Sequence, residues 1–169
     1  PALATGNSLV LKPSELSSLS ALRLAQLAVE AGVPEGVFNV VVGTGPGVGE
    51  PLVQHADVDM LTFTGSTATG KRLMAAAGRS SLKPLMLECG GKSPNIVFDD
   101  CPDLDAVADA VTARMYWNQG QVCTAGSRLL VHAPIKEALL ERIVARARAL
   151  VPGDPMLATT TCGPLISEP

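Results

Sequence analysis

The sequence has few aromatic residues and no excess of positive charge. Phe, Trp and Tyr together make up 3% of its 169 residues, and the formal net charge is −3 at pH 7. Nucleic-acid-binding surfaces usually combine a basic patch with aromatic side chains that stack on bases. Because both features are missing, the sequence argues against nucleic acid as a partner.

The sequence also lacks a long hydrophobic run. A membrane-spanning helix needs about 20 consecutive apolar residues, and Arg, Glu, Asp or Gly interrupts each of the most apolar stretches before that length. No signal-peptide pattern precedes the first strand-like run. We therefore predict no membrane association and a cytoplasmic location.

Metal-binding patterns are scarce as well. The four cysteines, at positions 89, 101, 123 and 162, match no zinc-binding spacing, so reduced thiols are the default without a secretion signal. Four aspartates lie around the start of a helical pattern, where they complement the helix dipole and predict no metal site: Asp99, Asp100, Asp103 and Asp105.

The chain does contain alternating strand and helix patterns, with 47% hydrophobic and 17% charged residues. Periodicity predicts strands at 9–11, 37–42, 60–63 and 84–88, with helices from Ser17 or Ser18, at 46–54 and at 67–77. After Gly91 the pattern restarts with strands 95–98 and 128–132 and helices 104–117 and 135–150. We predict an α/β fold: a Rossmann-like parallel sheet half over 1–91, then the beginning of a second α/β domain over 92–169.

Cys123 ends the polar segment 118–123, NQGQVC, between a predicted helix and a predicted strand. A loop position with flanking amides suits a reactive thiolate, whereas a small buried hydrophobic residue is the usual role of a cysteine. A hydrolase-type Cys–His pair with His55 or His132 is a further alternative, although we place these residues at a helix end and a strand end.

Glu88 lies at the carboxyl end of the predicted strand 84–88 and is followed by two glycines. Ligands bind at strand carboxyl ends in open α/β sheets, and a partly desolvated carboxylate there could have a pKa suited to activating water. An ordinary strand-end carboxylate that caps a loop amide is the alternative.

Four segments occur together in one order: KPSE at 12–15, FTGSTATG at 63–70, LECGGKSP at 87–94 and NQGQVC at 118–123. In this combination the sequence resembles the aldehyde dehydrogenase superfamily, from PALATGN at its start to GPL at 163–165. The resemblance implies an NAD(P)-dependent enzyme that oxidises a small aldehyde to a carboxylic acid through a cysteine thioester. Cys123 would be the nucleophile, Glu88 the base that activates water, and Asn118 a structural member of the nucleophile loop.

The resemblance also implies how the cofactor is held. Lys12 and Glu15 would face the adenosine ribose with Ser14 nearby, and Glu15 would favour NAD over NADP by repelling a 2′-phosphate. The turn that opens the helix at the pyrophosphate would include Gly65, Ser66, Thr67 and Gly70. The glycine-rich segment 42–49, with Gly45 and Pro46, would line the adenine side rather than hold phosphate. Cys89 would lie beside the base and the cofactor.

The chain begins at Pro1 without Met and stops at residue 169 just after a turn, which leads us to expect an internal fragment. The resemblance implies that an oxyanion-stabilising Asn and a Glu at the nicotinamide ribose lie outside the chain. We therefore expect the fragment alone to be inactive and the parent enzyme to be a homo-oligomer. Tyr116 and Trp117 are expected around a substrate tunnel or in the core.

Two alternatives to hydrolytic aldehyde oxidation remain open. A CoA-acylating enzyme of the same fold would not need a carboxylate at Glu88. A truncated nucleotide-binding module would bind the cofactor without catalysis.

Overall fold

The computed structural model of the chain describes residues 1–167. It divides into two compact units, Pro1–Glu88 and the residues from Cys89 onward, and each is described here by itself. Helices and strands alternate in both units, which confirms the predicted α/β class. The assignment of residues 1–91 to cofactor binding and of 92–169 to catalysis stays a prediction. Within residues 1–167, no helix combines the length and hydropathy that crossing a membrane requires.

The first unit contains four short strands and three helices. Strand β1 pairs in parallel with β2, with Leu9 opposite Phe38, and β3 lies beside β4. In chain order the elements are β1 (Leu9–Leu11), α1 (Ser18–Glu30), β2 (Phe38–Val40), α2 (Glu50–Gln54), β3 (Leu61–Gly65), α3 (Thr67–Arg79) and β4 (Leu85–Cys89).

The core of the first unit lies where α2 and α3 meet. Leu73, Ala76 and Ala77 are spaced three and four residues apart, so they share one face of α3, and that face packs with Val53 of α2. Val53 is 1% exposed. Partly buried residues of β3 and β4 pack against this cluster, among them Phe63. The start of α3 is thereby fixed directly after β3.

Lys83 is the charged residue that this packing buries, at 6% exposure. Its ammonium group donates a hydrogen bond to the carbonyl oxygen of His55, which follows α2. A buried ammonium is tolerated where it has hydrogen-bond acceptors, and a cation is favoured at the C-terminal end of a helix. Lys83 therefore connects the end of α2 to the segment that leads into β4.

The second unit contains two parallel strands and two longer helices. Strands β5 (Pro94–Val97) and β6 (Arg128–Val131) pair from Pro94 opposite Arg128 to Val97 opposite Val131. The helices are α4 (Leu104–Tyr116) and α5 (Lys136–Arg148). Val97, Ala108, Val111, Leu139 and Ile143 form its buried cluster, so α4, α5 and β5 share one hydrophobic core.

Ion pairs line the exposed edge between α4 and α5. Asp105 lies 3.4 Å from Nε of Arg142 and 3.1 Å from Nη2 of Arg146, and Arg146 also contacts Asp109. Hydrogen bonds from Arg146 and Arg142 hold the pKa of the Asp105 carboxyl below its ordinary value. Because these groups are solvent-exposed, the pairs contribute little to the stability of the second unit.

The predicted strands and helices are present, and most of their ends differ from the predictions by one or two residues. The predicted helix at 46–54 is helical along its length, but it is not uniformly an α-helix: Gly45–Gly49 is a π-helical turn, and α2 follows it from Glu50, whose amide donates to the carbonyl oxygen of Gly45. Helix α1 begins at Ser18 with Ser17 at its N-cap position, although the Ser17 side chain makes no capping hydrogen bond.

Candidate functional site

Cys123 lies on the loop that connects α4 to β6. It is exposed and belongs to a turn that the amide of Ala125 closes by donating to the carbonyl oxygen of Val122 at 3.0 Å. The exposed position favours the reactive-thiol interpretation of Cys123 over the buried-hydrophobe alternative. Within residues 1–167 its own backbone N–H donates to no protein acceptor, so this amide is available to a bound oxygen atom.

The backbone just before this turn is left-handed at three consecutive residues. The φ angles are +50° at Asn118, +57° at Gln119 and +73° at Gly120. Only glycine adopts this region without strain, although asparagine tolerates it comparatively well. The amide of Gln121 donates to the carbonyl oxygen of Asn118 at 3.0 Å. The chain therefore reverses direction within a few residues after α4.

Asn118, the predicted structural member of the nucleophile loop, makes a side-chain hydrogen bond within that loop. Its side-chain Nδ2 donates to the carbonyl oxygen of Gln121 at 3.4 Å, across the left-handed segment. Beyond Cys123, Nδ2 of Asn95 in β5 donates to the carbonyl oxygen of Gly126 at 2.8 Å. The Asn118 bond thus closes the left-handed segment on itself, and the Asn95 bond attaches the far end of the loop to β5.

An open cavity of about 740 Å³ lies beside this loop. Tyr116, Trp117, Asn118 and Val122 contribute to its wall. Trp117 is 71% exposed and Tyr116 is 38% exposed, so neither belongs to the core of the described chain. Of the two expected positions for these aromatic residues, the structure supports the wall of a cavity.

Glu88 is the next-to-last residue of β4, and its side chain is exposed while its neighbours Leu87 and Cys89 are half-buried. This alternation is the ordinary pattern of a strand with one packed face. The residues of the first unit therefore do not supply the partial desolvation expected for a catalytic base. The role of Glu88 as a base stays a prediction.

Lys12, Ser14 and Glu15 form one polar cluster with the glycine-rich segment. The ammonium Nζ of Lys12 lies 3.6 Å from Oε1 of Glu15 and donates to the carbonyl oxygen of Pro13 at 2.7 Å. Oε1 of Glu15 accepts the backbone N–H of Gly45 at 3.0 Å, while Ser14 caps the following turn through the amide of Leu16. Hydrogen bonding by its own backbone amide, together with Lys12 and Gly45, holds the pKa of Glu15 below its ordinary value.

Most backbone amides of the glycine-rich segment donate hydrogen bonds to acceptors within the chain. The N–H of Gly45 is bonded to Glu15, that of Gly47 to the side-chain oxygen of Thr44, and that of Val48 to the carbonyl oxygen of Thr44. Pro46, at the first turn, has no N–H. This segment therefore has few donors for phosphate, in agreement with its predicted position away from the pyrophosphate.

The start of α3, in contrast, has backbone amides without a protein acceptor. Ser66 caps the helix by accepting the amide of Thr69 at 3.2 Å, and Gly70 donates to the carbonyl oxygen of Ser66 at 2.9 Å. Within residues 1–167, the amides of Thr67 and Ala68 donate to no protein acceptor. A helix N-terminus with free amides is an anion-binding position. Gly70 is buried with its amide occupied, so its predicted cofactor contact has no support in this geometry.

The remaining sequence candidates are Cys89, the two histidines and the aspartates around the start of α4. Cys89 is half-buried in β4, and all four cysteines are free thiols. His132 follows β6 and lies 2.9 Å from the carboxylate of Asp99, whereas Nδ1 of His55 accepts the amide of Asp57. Asp103 caps α4 through the amides of Asp105 and Ala106, as predicted for a helix N-terminal charge. The pairing of Asp99 with His132 was not anticipated, because no local pattern joins them.

Comparison with known proteins gives consistent matches along the chain. The model of the aldehyde dehydrogenase family matches residues 1–169. The NADP/NAD-dependent aldehyde dehydrogenase PuuC of Escherichia coli K12 is 54% identical over 166 residues, which cover 98% of this chain and 34% of that protein.

Solved structures give the same result. The γ-glutamyl-γ-aminobutyraldehyde dehydrogenase of Burkholderia cenocepacia J2315 is 56% identical with a TM-score of 0.95, over 99% of this chain and 34% of its own. An indole-3-acetaldehyde dehydrogenase solved with NAD+ is 54% identical with a TM-score of 0.95, over 98% of this chain and 34% of its own. The chain spans about a third of the length of the relatives it matches.

The left-handed backbone of the Cys123 loop predicts that alanine is unfavourable at Gly120, whereas alanine is tolerated at a glycine within a helix. Gly120→Ala should destabilise the protein by about 1–2 kcal/mol, because φ is +73° and the added Cβ would stand 3.1 Å from the carbonyl oxygen of Met115. Gly78→Ala is the matched control, because Gly78 lies in α3 with open space around it. It should leave stability unchanged or raise it by up to about 1 kcal/mol.

Urea-induced unfolding of the full-length protein, followed by circular dichroism, measures both changes. Equal or greater stability of Gly120→Ala relative to the unsubstituted protein would contradict the left-handed conformation of this residue.

Proposed function

The chain belongs to the aldehyde dehydrogenase family, and from this membership we propose that the protein oxidises an aldehyde to a carboxylic acid with NAD or NADP as the electron acceptor. The observation that carries the proposal is the exposed thiol of Cys123, on a strained loop and with a free backbone amide. Strained backbone is often found at active sites. The named cofactors of its relatives, NADP/NAD and NAD+, support the cofactor class.

The first unit has residues that fit such a dinucleotide. The free amides of Thr67 and Ala68 at the start of α3 would bind the pyrophosphate, with the helix dipole in support. Lys12 and the carboxylate of Glu15 would bind the hydroxyl groups of the adenosine ribose, with Ser14 nearby. Gly45 and Pro46 would lie on the adenine side, where Glu15 already contacts the segment. The bound dinucleotide would supply an acceptor for a hydride.

Cys123 would provide the covalent step. Its thiolate attacks the aldehyde carbon, forming a C–S bond while the carbonyl π electrons move to oxygen. The backbone amide of Cys123 is one donor for that oxyanion. Loss of a hydride from the carbon, the chemistry for which the dinucleotide would supply the acceptor, would return the oxyanion to a carbonyl and leave a thioester on Cys123.

Glu88 would complete the turnover by hydrolysis. Its carboxylate accepts a proton from water, the resulting hydroxide adds to the thioester carbonyl, and the C–S bond breaks to release the acid and the thiolate. A carboxylate in this motif favours hydrolysis over transfer of the acyl group to CoA. Desolvation of Glu88 would have to come from bound substrate and cofactor or from residues outside those described.

The substrate proposal stays at the level of small aldehydes. Two similar proteins are named for different ones, γ-glutamyl-γ-aminobutyraldehyde and indole-3-acetaldehyde, so likeness of this extent does not choose between them. Assembly as a homo-oligomer and a cytoplasmic location remain predictions of the same kind.

Replacing the nucleophile tests the covalent step. In the full-length protein, Cys123→Ala should lower kcat by about 10³-fold or more, because no other group forms the thioester. Titration calorimetry with NAD should show unchanged affinity, since the proposed cofactor residues belong to the other unit. Cys101→Ala is the control, because this half-buried thiol packs against the core cluster. Turnover of Cys123→Ala near that of the control would refute the role of Cys123.

Replacing Glu88 tests hydrolysis. Glu88→Gln should permit a stoichiometric burst of NADH and then slow the steady state by about 10²-fold, because water is no longer deprotonated. Mass spectrometry of the quenched enzyme should find the acyl group on Cys123. Glu35→Gln, an exposed carboxylate in the same unit, is the control. A burst without a trapped thioester, or turnover of the unsubstituted protein that depends on added CoA, would favour another fate of the acyl group.

Replacing Glu15 tests cofactor selection. Glu15→Gln should raise the ratio of kcat/KM for NADP to that for NAD by about five- to tenfold, since it removes a negative charge near the 2′-phosphate and retains Lys12. Steady-state kinetics with each cofactor at a fixed aldehyde concentration measures the ratio, with Glu30→Gln on α1 as the control. A ratio that is unchanged or lowered would place Glu15 away from the ribose.

A further inference from the structure

The loop that carries Cys123 is held by a second segment of the same unit. Residues 152–163 form a compact loop after α5, in which the amide of Gly153 donates to the carbonyl oxygen of Cys162 at 2.9 Å. The amide of Thr160 donates to the carbonyl oxygen of Leu157 at 3.0 Å. The chain that leaves this loop, residues 163–166, passes directly beside residues 119–121. We name residues 163–166 the strap.

The first contact between the strap and the Cys123 loop is made by Gln119. In the orientation of its carboxamide that satisfies both atoms, the oxygen accepts the amide of Gly163 at 3.2 Å. The nitrogen donates to the carbonyl oxygen of Asn118 at 3.1 Å. The side chain is half-buried, so these hydrogen bonds are partly protected from competition by water.

The second contact is made by Gln121, on the other side of Gly120. Its side-chain Oε1 accepts the amide of Ile166 at 3.4 Å. This bond is longer and more exposed than the first, so it should contribute less. Together the two carboxamides bind backbone amides at both ends of the strap.

These contacts bear on the strain in the loop. Gln119 has φ of +57°, and a residue without special tolerance for this region keeps it only when its surroundings impose it. The strap supplies that restraint at Gln119 itself and again two residues later. Cys123 follows Gln121 by two residues, so a change of the loop backbone at these positions would move the thiol.

We propose that Gln119 and Gln121 are positioning residues, whose side chains bind the strap and thereby place Cys123 for attack on the aldehyde. The expected effect on kcat rests on the proposed function, aldehyde oxidation through Cys123. The existence of the restraint does not depend on that function, and it is measured separately. Local sequence gives no sign of the restraint, since more than 40 residues separate the two segments.

The test uses the full-length protein with Gln119→Leu, a change of similar size that removes both hydrogen-bonding atoms. Hydrogen exchange should be about five- to tenfold faster for the amides of residues 118–124 and of the strap, and unchanged in α4 and α5. With propionaldehyde and NAD, kcat should fall about tenfold while KM stays nearly constant, because small displacements of a reacting group weaken the transition state selectively. Gln121→Leu should show the same pattern with smaller changes.

Two further variants separate positioning from general stability. Gln119→Glu retains an oxygen acceptor for the amide of Gly163 and should recover most of the exchange protection. Gly163→Pro removes the donor, so its effect on exchange and that of Gln119→Leu should be strongly non-additive in the double variant. Leu165→Ala, at an exposed strap residue, is the control and should change neither exchange nor kcat.

The outcomes distinguish the two proposals. Additive effects of Gly163→Pro and Gln119→Leu, or exchange that rises equally throughout the second unit, would overturn the restraint. Faster local exchange with unchanged kcat in an active enzyme would overturn its positioning role. Absence of aldehyde oxidation in the unsubstituted protein would refute the proposed function, while the exchange results would still decide whether the strap restrains the loop.

Discussion

The packing of α4 on α5 is the constraint on which the second unit depends. Ala108 and Leu139 are completely buried, and burial of apolar surface of this kind is the main source of folding free energy. The position of α4 fixes its last turn, which the amide of Trp117 closes onto the carbonyl oxygen of Ala113. From that point the chain must reverse toward β6, and the left-handed residues after α4 accomplish the reversal. The exposed thiol of Cys123 is thus a consequence of where helix α4 ends.

The first unit shows how two glycine-containing segments acquire different chemistry. In the segment 42–49, side-chain and carbonyl oxygens of the chain itself accept the available amides, and Glu15 occupies the amide of Gly45. At the start of α3, Ser66 occupies one amide and leaves those of Thr67 and Ala68 without a protein acceptor. Anion binding depends on free donors rather than on glycine content. The two segments therefore have distinct roles in the proposed dinucleotide site.

The charged side chains of the first unit also differ in how much of their hydrogen-bonding capacity is free. Lys83 is buried and bonded to a carbonyl oxygen near the end of α2, where it serves the fold. Lys12 and Glu15 form a partly exposed pair, which leaves their remaining hydrogen-bonding capacity to a ligand. Glu88 is exposed at the end of β4. A carboxylate in water is a weak base, so its proposed catalysis depends on exclusion of water when the substrate and cofactor are bound.

The sequence by itself determined the order and type of the strands and helices, because hydrophobic periodicity is a local property. It also singled out Cys123 and Glu88, since their segments match a family pattern residue by residue. Tertiary structure decided which amides are free, because Glu15 and Gly45 lie 30 residues apart in the chain. It likewise decided the contact of Gln119 with Gly163 and of His132 with Asp99. These contacts depend on where packed elements bring distant backbone together, and no local pattern of residue types encodes that.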